Sequence, residues 1–161
     1  MITITSFKRS FSIKKSVRLS NAVHLMTLIA LNPFDNLSSQ RIAKSINTNP
    51  SFIRQIMSQL KAADLLTSVK GHAEPKLAKA PDQISLCDIY KAVDDTRLLN
   101  IDTQIDPSCG PGQNIQLSLA TYYDQIQETA EQQMQSIKLA DIIQQYQQRL
   151  AIQPELSHYQ N

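Results

Sequence analysis

A short segment near the middle of the chain, NTNPSFIRQIMSQLKAADLL at residues 47–66, combines a strong helix start with a regular polar face. Asn49 can cap free backbone N–H groups, and Pro50 suits the first helical position, so the helix begins at a fixed residue. Apolar residues recur at helical spacing, at positions 53, 56, 57 and 60, and predict a buried face. The opposite face carries hydrogen-bonding side chains: Ser51, Arg54, Gln55, Ser58 and Gln59.

The chemistry open to this polar face is hydrogen bonding to base edges. Arginine can donate two hydrogen bonds to guanine and glutamine can pair with adenine, each worth roughly 1–3 kcal/mol of discrimination. Arg54 and Gln55 are therefore the candidates for base contact. Candidates for positioning phosphates stand at or near predicted helix starts, where free N–H groups favour anions: Ser38, Gln40, Asn49 and Ser51. Taken alone, such a helix is more often an ordinary solvated one, so the neighbouring elements must decide.

Basic residues are concentrated near the N-terminus. The formal net charge of the 161-residue chain is only +2, yet residues 8–18 contain no acid and five basic side chains: Lys8, Arg9, Lys14, Lys15 and Arg18. These side chains could neutralise phosphates, and each such contact would steepen the salt dependence of binding. An arm with no fixed role is the alternative.

The two cysteines are too few for a disulfide framework and indicate a reduced, cytoplasmic compartment. Cys87 lies on a predicted apolar helix face, which favours a buried, inert thiol. Cys109 stands in a predicted loop near a helix start, where exposure and the helix dipole would favour the reactive thiolate. Cys109 is thus a candidate redox sensor, or else a loop cysteine that only packs. No metal-ligand spacing and no catalytic constellation can be assembled, so neither a metal site nor an enzyme is expected.

The elements that position these residues follow from hydrophobic periodicity. Helices are predicted at residues 17–31, 38–46 and from 49 onward, then a β-hairpin starting at 65–69, then helices at 84–95, 114–137 and 139–150. All three glycines fall in predicted loops. Three short helices followed by a hairpin form the winged helix-turn-helix pattern, whose third helix enters the major groove. The expected fold is mainly α with a small β-hairpin: a winged helix-turn-helix domain plus a long C-terminal dimerisation helix.

Five segments are predicted along the chain: a basic N-terminal arm at 1–13, the DNA-binding domain at 14–97, a linker loop with Cys109 at 98–112, dimerisation helices at 113–152 and a tail at 153–161. The long helix carries an apolar stripe, and this stripe is the expected dimer interface: Ile115, Leu119, Tyr122, Ile126, Ala130 and Met134. Its first four members follow coiled-coil spacing, which the last two break. Packing against its own domain is the alternative.

Three sequence stretches carry a family resemblance: IAKSINTNPSFIRQIMSQL, PKLAKAPDQISLCDIYKAV and CGPGQNIQ before the long helix. Over about residues 14–150 the chain resembles the Rrf-two (Rrf2) family of bacterial winged-helix transcription regulators, and most of all its YwnA-like branch, which lacks an iron–sulfur cluster. The resemblance implies a homodimer whose long helices cross. It also makes the wing residues Lys70, His72 and Lys76 candidates for phosphate contact.

The chain departs from the family pattern in three places. Ala73 and Glu74 replace the glycine pair usual in the wing, and Glu74 would repel a phosphate. Asp64 stands where glycine is frequent, and aspartate tolerates a left-handed turn better than most residues. The closely spaced cysteine triad of cluster-binding relatives is missing, since only Cys109 falls in that region, so no cofactor is expected.

The resulting expectation is a sequence-specific DNA-binding transcriptional regulator, a cytoplasmic homodimer that represses and responds to redox or to a small molecule through Cys109. The partners would be double-stranded DNA and a second copy of the chain, without a membrane. The rival interpretation is a winged-helix protein-interaction module that has lost specific DNA binding.

Overall fold

The computed structural model describes residues 17–34, 36–68, 74–94, 96–101, 103–104, 106 and 108–153. Several predictions lie outside the described residues: those for the N-terminal arm, for the basic residues Lys8, Arg9, Lys14 and Lys15, for Lys70 and His72, and for the tail beyond residue 153.

Three helices form the first part of the core. Helix α1 spans Arg18–Leu31, α2 spans Ser39–Ile46 and α3 spans Pro50–Ala62. Helices α1 and α2 each end at an asparagine in the left-handed region, Asn32 with φ 44° and Asn47 with φ 57°. Asparagine adopts this conformation more readily than most residues. Helix α1 thus ends at Leu31, the predicted residue, with Asn32 as its C-cap.

The predicted starts of α2 and α3 are confirmed. Ser38 Oγ accepts a hydrogen bond from the Arg41 backbone N–H at 3.3 Å, and Asn49 Oδ1 accepts one from the Phe52 backbone N–H at 2.8 Å. Five residues of these two helices are buried in the core: Ile42, Ala43, Ile53, Ile56 and Leu60. Caps and core together fix where the outer face of α3 begins and which way it points.

The predicted hairpin is present. Strand β1, Leu66–Ser68, pairs antiparallel with β2, Pro75–Leu77, with Leu66 opposite Leu77 and Thr67 opposite Lys76. Between α3 and β1, Asp64 has φ 54°, so the left-handed turn expected there is kept without a glycine. Buried Leu65 and Leu66 attach the hairpin to the core.

A 3-10 turn at Pro81–Gln83 precedes the remaining α-helices of the described residues, which are α4 at Leu86–Val93, α5 at Gly110–Ser136 and α6 at Leu139–Ile152. The segments preceding α4 and α6 pair as a short antiparallel bridge. The Leu86 N–H donates to the Ile137 carbonyl oxygen and the Leu139 N–H donates to the Ile84 carbonyl oxygen, both at 2.9 Å. Leu139 is fully buried in the main core. The start of α6 therefore packs on the helix-turn-helix domain, while the assignment of residues 113–152 to dimerisation stays a prediction.

The start of α5 also differs from the prediction. The helix begins at Gly110, ahead of the predicted Asn114, and the 98–112 linker is correspondingly shorter. Pro111 fits the first turn because the missing N–H would have no partner there. Gly110 and Gly112 consequently lie in the helix, although glycine is a weak helix former and its presence favoured a loop.

Ser85 caps α4 from a fully buried position. Its Oγ accepts a hydrogen bond from the Asp88 N–H at 3.0 Å, and its own N–H donates to Asp88 Oδ2 at 2.8 Å. Burial alone would raise the pKa of the Asp88 carboxyl, but the hydrogen bonds from Ser85 outweigh burial and hold that pKa below its usual value.

Ser85→Ala is expected to lower the free energy of unfolding by about 1–2 kcal/mol at neutral pH, because α4 loses its cap. The carboxyl of Asp88 has a folded pKa below its unfolded value of about 3.9. The ionised carboxylate therefore contributes its full stabilisation at pH values above the unfolded pKa. This stabilisation is lost as the pH falls through the folded pKa. The stability difference between wild type and S85A should accordingly narrow in acid. Urea unfolding followed by circular dichroism at several pH values measures both effects.

Ser118→Ala is the matched control, since it removes an exposed hydroxyl that donates to the Asn114 carbonyl oxygen at 2.8 Å within α5. This variant should change stability by less than about 0.5 kcal/mol. Equal losses in the two variants would contradict the capping role of Ser85.

Candidate nucleic-acid interface

The outer face of α3 is built as the sequence predicts. Ser51, Arg54, Gln55 and Ser58 are exposed, while Gln59 is half-buried. The Arg54 guanidinium donates a hydrogen bond from Nη1 to Ser39 Oγ at 3.3 Å, which ties it to the first turn of α2. Arg54 and the start of α2 thus form one polar surface, on which Gln55 is exposed.

Arg18 takes a position that the sequence does not reveal. Its Nη1 donates to Gln59 Oε1 at 3.2 Å, and its guanidinium lies 5.3 Å from the centroid of the Phe52 ring. Arg18, a candidate for phosphate contact at the start of α1, therefore packs against α3. It adds positive charge beside that helix and helps fix the orientation of α1 against it.

The phosphate candidates near helix starts are divided between two roles. Ser38 and Asn49 use their side-chain oxygens as caps, which leaves the hydroxyl proton of Ser38 and the amide N–H groups of Asn49 as donors. Gln40 and Ser51 are exposed in the first turns of α2 and α3. The four residues lie in the segment from Ser38 to Ser51, at the two helix starts.

The wing presents charges of both signs. Lys76 is exposed on β2, and Glu74 is exposed directly before that strand. An acidic side chain here lowers the positive potential that Lys76 supplies.

Two contributors to this surface were missed from the sequence. Ser39 receives the hydrogen bond from Arg54, and Arg41 lies over the Phe34 ring with its guanidinium carbon 4.6 Å from the centroid. Neither contact could be predicted from the sequence, because the two partners of each contact belong to different elements and periodicity describes only one helix at a time. The second contact places a cation at the junction of α1 and α2.

The described residues leave the apolar stripe of α5 without full cover. None of the residues of α5, all of them described, is buried. Ile115, Tyr122 and Ile126 are exposed by 59%, 64% and 48%, whereas Leu119, Ala130 and Met134 are half-buried. Leu117, which the sequence interpretation did not single out, is exposed by 66% on a different side of the helix.

The two cysteines have different surroundings. Cys87 is buried as predicted, and burial raises the pKa of its thiol. Cys109 is exposed at the residue preceding α5. Among the described residues, no group of three or more histidine, cysteine, aspartate or glutamate side chains is placed to hold a metal ion. None of the described helices is long and apolar enough to span a membrane.

Comparison with known proteins identifies a family with this architecture. The model of the family Rrf2, described as iron-dependent transcriptional regulator, matches residues 15–145. The chain is 36% identical over 127 residues to YwnA of Bacillus subtilis (strain 168), which is named as an HTH-type transcriptional regulator, and the match covers 78% of this chain and 94% of YwnA.

Solved structures agree with that assignment. A crystal structure described as that of a DNA-binding protein has a TM-score of 0.65 and 35% identity, with 78% of this chain and 98% of that one covered. CymR (YrzC), the global cysteine regulator of B. subtilis, has a TM-score of 0.59 at 19% identity, with 82% and 97% covered, and is similar in fold. The chain belongs to the Rrf2 family, whose members are DNA-binding transcriptional regulators and not enzymes.

Proposed function

We propose that this regulator is a homodimeric repressor that recognises a specific DNA sequence through α3. The observation that carries the proposal is the outer face of that helix. Arg54 and Gln55 are exposed on it, while Ile53 and Ile56 on the opposite face are fully buried. A capped helix held by its core in this way can present both polar side chains to base edges in a fixed register.

Contacts to phosphates would position this helix. We assign that role to Ser38, Gln40, Asn49 and Ser51 at the starts of α2 and α3, to Arg18 beside α3, and in the wing to Lys76 with Lys70 and His72. Repression follows in this proposal from occupancy, since a bound dimer would cover promoter DNA.

Homodimer formation is supported by the uncovered stripe on α5. Its exposed members Ile115, Tyr122 and Ile126 would leave water in a contact with a second copy, and apolar burial is the main favourable term in such association. The same contact would set two α3 helices on half-sites one or two turns of DNA apart.

The family description names iron, but the part of the chain that the structure describes offers no fitting donor set. Cys87 is buried in the core and Cys109 is exposed at the start of α5, and the described residues contain no other group that suits a metal. We therefore propose a regulator that works without an iron–sulfur cluster, in the cytoplasm, where thiols stay reduced.

Regulation through Cys109 is part of the proposal. An exposed thiol at the start of a helix is accessible to peroxide, which would convert it to a sulfenic acid that thiols reduce again. A small-molecule effector is the alternative. The rival function, a protein-interaction module without DNA specificity, is favoured by one observation, the exposed Glu74 at the wing.

Arg54→Ala is expected to weaken binding to the promoter DNA upstream of its own gene by about 1–3 kcal/mol, with little effect on a scrambled duplex, because the lost bidentate contact reads a base. Fluorescence anisotropy at two salt concentrations measures both affinities. Lys76→Ala is the matched comparison. It should weaken binding to both duplexes equally and reduce the salt slope by about 1. If wild type bound both duplexes alike, the interaction-module interpretation would replace this one.

Ile126→Glu is expected to raise the dimer dissociation constant by more than about tenfold, because an unpaired carboxylate would be buried at the interface. Sedimentation equilibrium measures the change. Leu117→Glu is the matched control, an exposed apolar residue on another side of α5 that should leave the dimer intact. Dissociation by L117E but not by I126E would place the interface elsewhere.

Cys109→Ser is expected to abolish the response of DNA affinity to peroxide, whereas wild type should lose affinity and regain it with dithiothreitol. Cys87→Ala, at the buried thiol, should respond as wild type does. If C109S and wild type bind DNA identically under oxidant and reductant, Cys109 has no sensing role.

A further inference from the structure

A cavity of about 180 Å³ lies between α5 and the segment that follows α4. Much of its lining is apolar, contributed by Leu99, Ile101, Ala120 and Tyr123. Arg97 and Asp124 form a charged wall. A small concave site with an apolar body and a few convergent polar groups is the usual form of a ligand pocket.

Hydrogen bonds beside this cavity join the segments that form it. The Leu98 N–H donates to Gln127 Oε1 on α5 at 3.0 Å, and Gln127 Nε2 donates to the Tyr90 hydroxyl oxygen at 3.3 Å. The Tyr90 hydroxyl in turn donates to the Thr96 carbonyl oxygen. These bonds tie the segment after α4 to both α4 and α5, so the cavity is formed without a ligand.

The charged wall selects the ligand. The Arg97 guanidinium pairs with the Asp124 carboxylate, and their side chains remain 51% and 55% exposed. A guanidinium has five N–H donors and a carboxylate accepts about four hydrogen bonds, so one mutual contact leaves both groups with capacity for a ligand. A ligand with one charge would be attracted by one of them and repelled by the other. A ligand with adjacent opposite charges would pair with both.

The volume limits the rest of the ligand. A cavity of roughly 150 Å³ accommodates a benzene-sized group. One aromatic ring or one branched aliphatic chain therefore fits the apolar part. The same ion pair also borders a second, more polar cavity of about 330 Å³, which gives the charged groups access from water.

The cavity is separate from the stripe assigned to the dimer. An α-helix advances by about 100° per residue, which turns Ala120 and Asp124 about a third of a turn or more away from Tyr122 and Ile126. A second copy seated on the stripe would therefore leave this side of α5 accessible.

We propose that this cavity binds a free α-amino acid with an apolar side chain. The carboxylate pairs with Arg97, the ammonium group pairs with Asp124 and the side chain occupies the apolar part. Helix α4 carries Tyr90, which lines the larger cavity on the other side of the same ion pair, while its Ile89 lies in the same core as Ile53 and Ile56 of α3. Through this packing, a bound amino acid would change the affinity of α3 for DNA. This effect rests on the proposed function, whereas binding of the amino acid does not.

The test is isothermal titration calorimetry of the full chain with L-phenylalanine, 3-phenylpropionate and phenethylamine, at up to about 10 mM so that a weak site is detected. The second and third probes keep the ring and lack the ammonium group or the carboxylate. L-Phenylalanine should bind on the order of tenfold more tightly than either, because each charge-assisted contact is lost in one of them. Absence of binding, or equal binding of all three, would overturn the proposal.

Three variants locate the site. Arg97→Gln and Asp124→Asn should each lower the affinity for L-phenylalanine to about the affinity that wild type has for a singly charged probe. Ala120→Leu should block all binding by filling the cavity. Arg149→Gln on α6 is the matched control and should bind as wild type does. Unchanged binding in R97Q and A120L would refute the site, and dissociation of the dimer by A120L would reassign the cavity to a subunit contact.

The titrations contain no DNA, so the two proposals can fail separately. Arg54→Ala should bind L-phenylalanine as wild type does. If the amino acid binds but DNA recognition is unspecific, only the proposed function fails. If DNA recognition depends on Arg54 but no probe binds, only the cavity assignment fails.

Discussion

The two backbone hydrogen bonds that join residues 84–86 to residues 137–139 are the constraint on which the rest of the structure depends. They hold the end of α5 and the start of α6 beside the start of α4. Ser85 lies fully buried at this junction, where its hydroxyl donates to Asp88 Oδ2 at 2.7 Å and lies 3.2 Å from Gln135 Oε1. Because buried polar groups stabilise a fold only when paired, the bridge must form as a unit.

Helix α4 transmits this constraint to both functional surfaces. Its Ile89 and Val93 belong to the core that supports α3, and its Lys91 pairs with Glu131 of α5 at 2.9 Å. The exposed face of α3 and the uncovered stripe of α5 are therefore attached to the same short helix. A change at the α4–α5 junction can reach the exposed face of α3 through packed side chains.

Local signals carried the successful sequence predictions. The caps at Ser38 and Asn49 and the helical stripes each depend on residues within a few positions of one another, whereas the turn at Asp64 was expected from the family resemblance. Contacts between distant residues could not be predicted, because one sequence does not encode which surfaces meet. The pairing of Arg18 with Gln59, the stacking of Arg41 on Phe34 and the packing of Leu139 in the core belong to this second class. The start of α5 was missed for a different reason: glycine disfavours a helix locally, and here its context overrides that preference.

The position of Leu139 bears on how this chain can be divided. Leu139 is fully buried in the helix-turn-helix core, and Ile143 packs against it, although both follow the long helix in sequence. A fragment that ended before α5 would contain every candidate DNA contact yet lack part of its own core. Loss of a buried leucine side chain typically lowers the free energy of unfolding by about 2–5 kcal/mol. The smallest autonomous folding unit therefore includes α6, so insertion or fusion of other sequences is better tolerated at the ends of the chain than between the DNA-binding domain and the long helix.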